Sequence, residues 1–299
     1  MKAIILILLL QGTPGYEWLL LPFGSRASII APVALAEDYT STLYNPACGV
    51  GGSPLIEISY CDYWVDIGYG SFVYNGNLPV LVGMQFLQAG TMKSTDYEGN
   101  VTEEFHPGFV SPIVTYHRVL SQPSVSTVKH KLDTIGIFGI GVKLPMTFIG
   151  SYYSFAGAID AGFIYFPHAK KEFAVGFAIQ NVGYTFVSYT GTREATPLLV
   201  RFGVKYEKET YTLAGEFVYP LLLKSYYTIG GEILLAKNLK LRAGYSTMFD
   251  DLRIGNEYFL GGGVIGLGYY LTNMHIDYAV RYTGPFGLVH SIGLSYSLK

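Results

Sequence analysis

Glu172-Phe173-Ala174-Val175-Gly176-Phe177-Ala178-Ile179-Gln180 is the stretch that decides the fold. Its bulky apolar residues fall at every second position, and only small or polar residues stand between them. Successive side chains of an extended chain point to opposite faces, so a period of two reads as a β-strand; a helix needs spacings of three and four. The same rule returns in Val200-Arg201-Phe202-Gly203-Val204-Lys205-Tyr206-Glu207, in Leu239-Lys240-Leu241-Arg242-Ala243-Gly244-Tyr245 and in Met274-His275-Ile276-Asp277-Tyr278-Ala279-Val280-Arg281-Tyr282. One face is Phe, Val, Ile, Leu and Tyr. The other mixes Gly and Ala with Glu172, Arg201, Lys205, Glu216, Glu232, Lys240, Arg242, Asp277 and Arg281.

Two architectures satisfy this pattern. A soluble sandwich turns its charged face to water and packs its apolar face on a second sheet. A transmembrane barrel turns its apolar face to lipid and its charged face to an enclosed lumen. Strand number and length favour the barrel. About 14 candidate strands are legible, at 55–62, 64–74, 79–92, 104–120, 130–144, 150–166, 172–184, 197–207, 210–220, 225–236, 238–248, 257–270, 272–283 and 287–298. Many exceed the five or six residues usual in globular sheets and suit a tilted membrane strand. Turn lengths agree: the connections at 207–209, 236–238 and 271–273 are short and follow even-numbered strands, whereas 92–103, 184–196 and 247–257 are long, polar and follow odd-numbered ones. Barrels with both termini in the periplasm alternate in this way. Two connections break the rule, Asp62-Tyr63 as too short and 121–129 as too long. The ending Ser291-x-Gly293-x-x-Tyr296-x-Leu298 resembles the C-terminal strand signal read by the barrel-assembly machinery, although Lys299 follows it.

Composition narrows the function classes. Charged residues are 14% of the 299, hydrophobic residues 50%, and the chain holds 26 Tyr, 18 Phe and 36 Gly with a net charge of −2. A soluble domain usually carries about 25% charge. No basic excess points to nucleic acid. Residues 144–159 and 258–274 are long and uncharged, but Gly, Pro, Ser or Asn interrupts each, so neither reads as a transmembrane helix. Cys48 and Cys61 are too few for a disulfide scaffold; a single bridge and two free thiols both fit. The six His residues show no metal-ligand spacing, and Gly261-x-Gly263-x-x-Gly266 lies in an apolar strand-like run with no helix after it. With no nucleophile elbow or phosphate loop, the sequence carries no catalytic residue, no metal site and no cofactor signature, and it reads as a non-enzyme. Met1-Lys2 followed by residues 3–10 reads as a short secretory signal, cleaved between 15 and 22; Ala34-Leu35-Ala36 offers a rival site.

A family resemblance covers residues 22–298 in order. Phe23-Gly24-Ser25-Arg26-Ala27, Ala36-Glu37-Asp38 and Tyr44-Asn45-Pro46-Ala47 resemble the opening of the PorV/PorQ outer-membrane proteins, which are similar in turn to FadL-type transporters with an Asn-Pro-Ala in an N-terminal hatch. Ile179-Gln180-Asn181-Val182-Gly183, Pro197-Leu198-x-x-Arg201-Phe202-Gly203, Gly230-Gly231-Glu232 with Leu241-Arg242-Ala243-Gly244-Tyr245, and Asp277-Tyr278-Ala279 with residues 290–296 continue it. The family's Gly after Asn-Pro-Ala is Cys48 here, and Pro32 interrupts the small-residue run. The resemblance implies a 14-stranded outer-membrane barrel (54–299) with a hatch at 22–53, and it favours the earlier cleavage site. Within the hatch, Pro46 bars helix at Asn45, whose side chain can cap lumen backbone groups; Arg26 and Asp38 are expected to pair with lumen charges such as Glu216 or Arg242.

For function, the resemblance implies first a PorV/PorQ-type protein of type IX secretion, binding exported protein cargo through outer loops at 91–104 and 184–196. A second reading is a FadL-like transporter of hydrophobic small molecules, and a third is a purely structural barrel. Outer-membrane lipid and the barrel-assembly machinery are the partners common to all three.

Overall fold

The computed structural model describes residues 16–50, 54–76, 78–123, 132–167, 171–189, 191, 194–252 and 260–298. The signal reading at 1–15 and most of the connection at 121–129 lie outside the described residues.

Seventeen strands are described: β1 (Leu55–Asp62), β2 (Gly68–Asn75), β3 (Val80–Gln88), β4 (Met92–Thr95), β5 (Val101–Phe105), β6 (Gly108–Pro123), β7 (Leu132–Lys143), β8 (Met146–Ile149), β9 (Tyr152–Tyr165), β10 (Phe173–Val187), β11 (Leu199–Glu207), β12 (Tyr211–Pro220), β13 (Tyr226–Ala236), β14 (Leu239–Ser246), β15 (Gly263–Tyr270), β16 (Met274–Tyr282) and β17 (Leu288–Ser297). Sequential neighbours pair antiparallel, and β1 pairs with β17 from Leu55↔Ser297 to Asp62↔His290, which closes the sheet on itself. β7 and β8 are halves of one stave, because both pair with β6 and with β9. Pro145 lies between them and has no N–H to donate to the ladder. The wall is therefore a closed barrel of 14 antiparallel staves, with β4 and β5 as a separate two-stranded hairpin. Closure leaves no unpaired sheet edge, a requirement for any sheet placed in hydrocarbon.

The register of the ladders places the two faces. Phe138, Phe163, Phe177, Phe202, Phe217 and Tyr227 are direct cross-strand partners on six successive staves and all point outward. Phe202, in the middle of the row, is 51% exposed, whereas its neighbours Arg201 and Gly203 are buried. Lys143, Lys205, Glu216, Glu232 and Arg242 are likewise buried. A water-soluble barrel has the opposite polarity. An exposed apolar face this continuous is stable only against hydrocarbon. Among the described residues no helix is long and apolar enough to cross a membrane.

Connection lengths assign the ends. Those at 76–79, 208–210, 237–238 and 271–273 cluster at the end that holds Leu55 and Ser297; those at 89–107, 188–198 and 247–262 lie at the other. Short turns mark the periplasmic end of such barrels. The connection after β1, expected to be too short, is a five-residue turn at 63–67, because Val65 and Asp66 adopt left-handed backbone (φ 54° and 57°) and β2 begins only at Gly68.

Phe202→Arg is expected to cost about 2–4 kcal/mol in a bilayer, because it places a charge on the lipid face near mid-stave. Tyr97→Arg, in the exposed connection between β4 and β5, is expected to cost nothing measurable. Urea titration of heat-modifiable gel mobility reads both.

Candidate functional site in the plugged lumen

Residues 16–50 run inside the barrel from the outer mouth to the periplasmic end. At the outer mouth the Tyr16 hydroxyl meets Ser154 at the start of β9, and Trp18 packs against Phe109 at the start of β6 (centroids 6.0 Å apart). Lower down, Arg26 reaches Glu232 on β13, and at the periplasmic end Glu37 reaches Lys205 on β11. The segment is three short 3-10 turns, Glu17–Leu20, Pro32–Ala34 and Thr40–Leu43, joined by irregular chain. Irregular backbone at membrane depth survives only where protein covers it.

The wall receives this backbone at its inward glycines. A Cβ at Gly176 would lie 2.2 Å from Val33 O, one at Gly230 or Gly244 2.2 Å from Ile29 O, and one at Gly139 2.1 Å from Pro46 C. Each is a site where any side chain would push the hatch away. Asn45 sits over Gly162: its Nδ2 donates to Val33 O (2.7 Å) and its Oδ1 accepts from the Ala47 N–H (3.0 Å). Asn45 thus satisfies two buried backbone groups that no strand can reach.

Charges tie the hatch to the wall. Arg26 pairs with Asp38 (2.8 Å) and Glu232 (3.3 Å); Glu232 also receives Lys240 (2.7 Å) and Arg242 (2.6 Å), and Arg242 continues to Asp277. Three cations and three carboxylates form one neutral network, with Glu232 at its hub and Arg242 fully buried. The structure places Arg26 and Asp38 here and not beside Glu216. Glu216 is nearer the outer mouth and pairs with Arg201 (3.0 Å), which also bonds Gln180 (2.7 Å) and lies over the Tyr44 ring (5.0 Å). Arg281 donates to the carbonyls of Ser28 and Gly262 and lies 4.9 Å from the Phe249 ring centroid. Glu172, expected on the lumen face, is at the periplasmic rim, where it pairs with Lys208 (2.8 Å). That correction follows from its place one residue before β10, on the turn side.

Two features carry no strong sequence signal. Lys143, Asp160 and Asn181 form a buried cluster (Lys143 to Asp160 2.7 Å, Lys143 to Asn181 3.0 Å) that pins a β-bulge where Asn181 takes φ 58°. This bulge is the physical content of the Gln180-Asn181 motif, since Asn181 also binds Thr196 and Pro197 and folds the outer connection onto the wall. The second is a ladder of aromatic rings. Phe286 stacks on Trp64 (4.6 Å), Trp64 on Tyr63 (4.2 Å), and Tyr63 meets Tyr69 and Tyr69 meets Phe23 edge-on (5.4 Å each). It runs from Phe286, 50% exposed at the outer rim, to Phe23, fully buried in the hatch.

Little space is left in the lumen. Between the hatch and the Arg201–Glu216 pair is a cavity of about 30 Å³, room for one water. At the periplasmic end a polar vestibule of about 240 Å³ opens among Arg26, Asp38, Glu57, Lys240 and Asp277. Cys48 and Cys61 are both buried free thiols. Among the described residues no group of three His, Cys, Asp or Glu is placed to hold a metal.

Glu232→Ala leaves Arg26 and Arg242 short of a carboxylate and is expected to destabilise the hatch by about 3–5 kcal/mol. Limited proteolysis should then cut within residues 26–50, where the wild type resists. Gly176→Val is expected to dislodge Val33 and turn a silent barrel into a conducting one in planar bilayers.

No family model and no curated protein matches the sequence. Among solved structures the fold is similar to a TodX monoaromatic hydrocarbon channel lacking S2 and S3 (TM-score 0.57, 10% identity, 92% of this chain and 99% of that one). It is also similar to the CymD monoaromatic hydrocarbon channel (0.53, 10%, 89% and 94%). A Pseudomonas aeruginosa FadL homologue matches as well (0.51, 11%, 93% and 98%). At these identities the likeness is one of fold: this chain has the barrel architecture of outer-membrane hydrocarbon and FadL-type channels.

Proposed function

We propose that this chain is an outer-membrane channel for small hydrophobic molecules, shut by its own N-terminal hatch in the state described. The observation that carries this reading is the aromatic ladder. A flat or greasy solute arriving at the outer rim finds exposed Phe286 and half-buried Trp64, and further rings follow at centroid separations of 4.2 to 5.4 Å until buried Phe23 on the hatch. Stacked and edge-on rings favour such solutes over water by dispersion and desolvation. The fold of known hydrocarbon channels supports the same reading.

The hatch is held unevenly, which gives the solute a side to follow. Its ion pairs reach β11 and β13. Toward β1, β2, β3 and β6 it makes no ion pair among the described residues: Thr40 donates to the Glu57 carboxylate on β1, Thr42 meets Thr115 on β6, and Ser59, Ser71, Gln85 and Ser111 form one directly registered inward row there. Gln85 Oε1 and Ser111 Oγ in that row, and Ser41 Oγ in the hatch, have no hydrogen-bond partner among the described residues. In this reading residues 1–15 are the export signal, the chain has no catalytic role, and Arg26, Asp38, Asn45 and Pro46 hold the gate.

A second reading, a scaffold for exported protein cargo, draws on the hairpin of β4 and β5. It pairs with no barrel strand and presents exposed Met92, Tyr97 and Val101 beside Glu98, Glu103 and Glu104. The Asp96 carboxylate accepts the Asn100 side-chain amide (3.1 Å) and the backbone N–H groups of Asn100 and Glu98 (2.9 Å each), which holds it below the usual carboxylate range. A depressed value means that this turn is stabilised at neutral pH and loosens as pH falls through that lowered value.

Of the two tryptophans, Trp64 is a rung of the ladder and Trp18 lies in the same apolar cluster as Phe23 and Tyr69, so intrinsic fluorescence reads the site. Titration of the purified barrel with toluene is expected to shift or quench that emission saturably, with Phe286→Ala weakening binding several-fold. An unresponsive emission, or cargo capture that depends on residues 92–105 with no toluene binding, would replace the channel reading with the scaffold.

A further inference from the structure

The lipid face carries a trough unrelated to the hatch. On β12, β13 and β14 the outward positions Gly215, Gly231 and Ala243 have little or no side chain, while Val204, Leu213 and Ile229 stand beside them. Leu213, Gly231 and Ala243 are direct cross-strand partners, as are Val204, Gly215 and Ile229, so the trough follows two adjacent rows across the wall. It encloses about 630 Å³, twenty times the cavity left beside the Arg201–Glu216 pair. The backbone ladder beneath it is unbroken from Tyr211 to Val218, so it is a recess in the wall and not a hole.

Its depth and its rim identify the occupant. Gly215 lies four residues beyond Tyr211. At about 3.3 Å per residue and a tilt of about 40° that places the floor about 10 Å above the periplasmic edge, within the lower half of an apolar band about 25 Å tall. Tyr206 lines the low end, and the Lys208 ammonium lies 5.6 Å from its ring centroid, held at the rim by Glu172 at 2.8 Å. Exposed Lys237 occupies the next short turn, between β13 and β14. An apolar trough reaching down to two rim lysines matches a chain beneath a phosphate.

We propose that this trough is a binding site for one phospholipid of the periplasmic leaflet. An acyl chain fills the recess over Gly215, Gly231 and Ala243, and its phosphate sits between Lys208 and Lys237. Filling an empty apolar recess recovers the dispersion contacts that a smooth wall already has, and a rim cation fixes which end faces the periplasm.

Gly215 admits a side chain, since a Cβ there would meet only Ile229 Cγ2 at 3.7 Å and Thr228 O at 3.8 Å; Gly231 would crowd Leu213 Cδ2 at 2.9 Å and is left alone. Gly215→Leu combined with Ala243→Leu therefore fills the trough without strain, and unchanged heat-modifiable mobility checks that the barrel still folds. Native mass spectrometry of protein extracted from membranes in mild detergent is the readout. The wild type is expected to retain one phospholipid per chain, the filled variant at least tenfold less, and Lys208→Gln with Lys237→Gln several-fold less. Equal retention in wild type and filled variant, or no adduct on either, overturns the site. An adduct lost on filling but indifferent to both lysines overturns the phospholipid assignment, and a wild-type adduct with the mass of a second chain assigns the trough to self-association instead.

Discussion

Glu232 receives Arg26, Lys240 and Arg242 at once, and the rest of the molecule is arranged around what that convergence makes possible. A stave whose outer face lies in hydrocarbon can place its polar side chains only inward. There they must find partners, because the cost of an unpaired buried charge exceeds that of any other contact in the lumen. The four wall charges at this level sum to zero, but their contacts are uneven. Glu232 on β13 faces two wall cations, and Asp277 takes only one of them. The hatch adds a matched pair, Arg26 and Asp38, so the network stays neutral with the N-terminal segment inside, and Arg26 ties that segment to Glu232. Folding of the hatch and of the barrel are thereby coupled through electrostatics, and the inward glycines supply the space that lets the hatch backbone come close enough.

The fold was legible because hydrocarbon imposes a rule on every second residue. The 14 staves were legible, and their ends differ from the sequence expectation by a few residues at most positions, chiefly where β15 starts at Gly263 and not at 257 and where β2 starts later after the left-handed pair at Val65 and Asp66; the hairpin of β4 and β5 was read as a loop. The lumen was less legible. Arg201, Glu216, Glu232, Arg242, Asp277 and Arg281 are identifiable as inward by parity, but parity carries no information about height along the barrel. Strand tilt shifts the register from stave to stave, which is why Arg26 meets Glu232 and not Glu216. Glu172 shows the limit of the rule, since one residue beyond a strand end the alternation no longer fixes a face. The aromatic ladder joins Phe286, Trp64, Tyr63, Tyr69 and Phe23 from four separate stretches, and no local pattern in the sequence marks it.

The same constraint shapes the functional reading. A barrel that has bound its hatch through a closed ionic network and leaves room for about one water is not an open pore. Whatever passes must either displace the hatch or move along the side where no ion pair among the described residues holds it. The ladder and the registered Ser59–Ser71–Gln85–Ser111 row lie on that side, one above the other, while the ionic anchors lie across the lumen. Attachment on one flank and a yielding seam on the other suit a gate that stays in the barrel as it opens. The secretion-scaffold reading makes no use of this asymmetry and rests on the outer hairpin alone.

Amide hydrogen exchange across residues 23–49, in protein reconstituted into lipid nanodiscs, tests the account most directly. A hatch locked by the Glu232 network and by its glycine contacts is predicted to exchange as slowly as the central staves β11 to β14. Exchange within seconds along that segment, with the staves still protected, would mean that the hatch is not part of the folded lumen and would contradict the account.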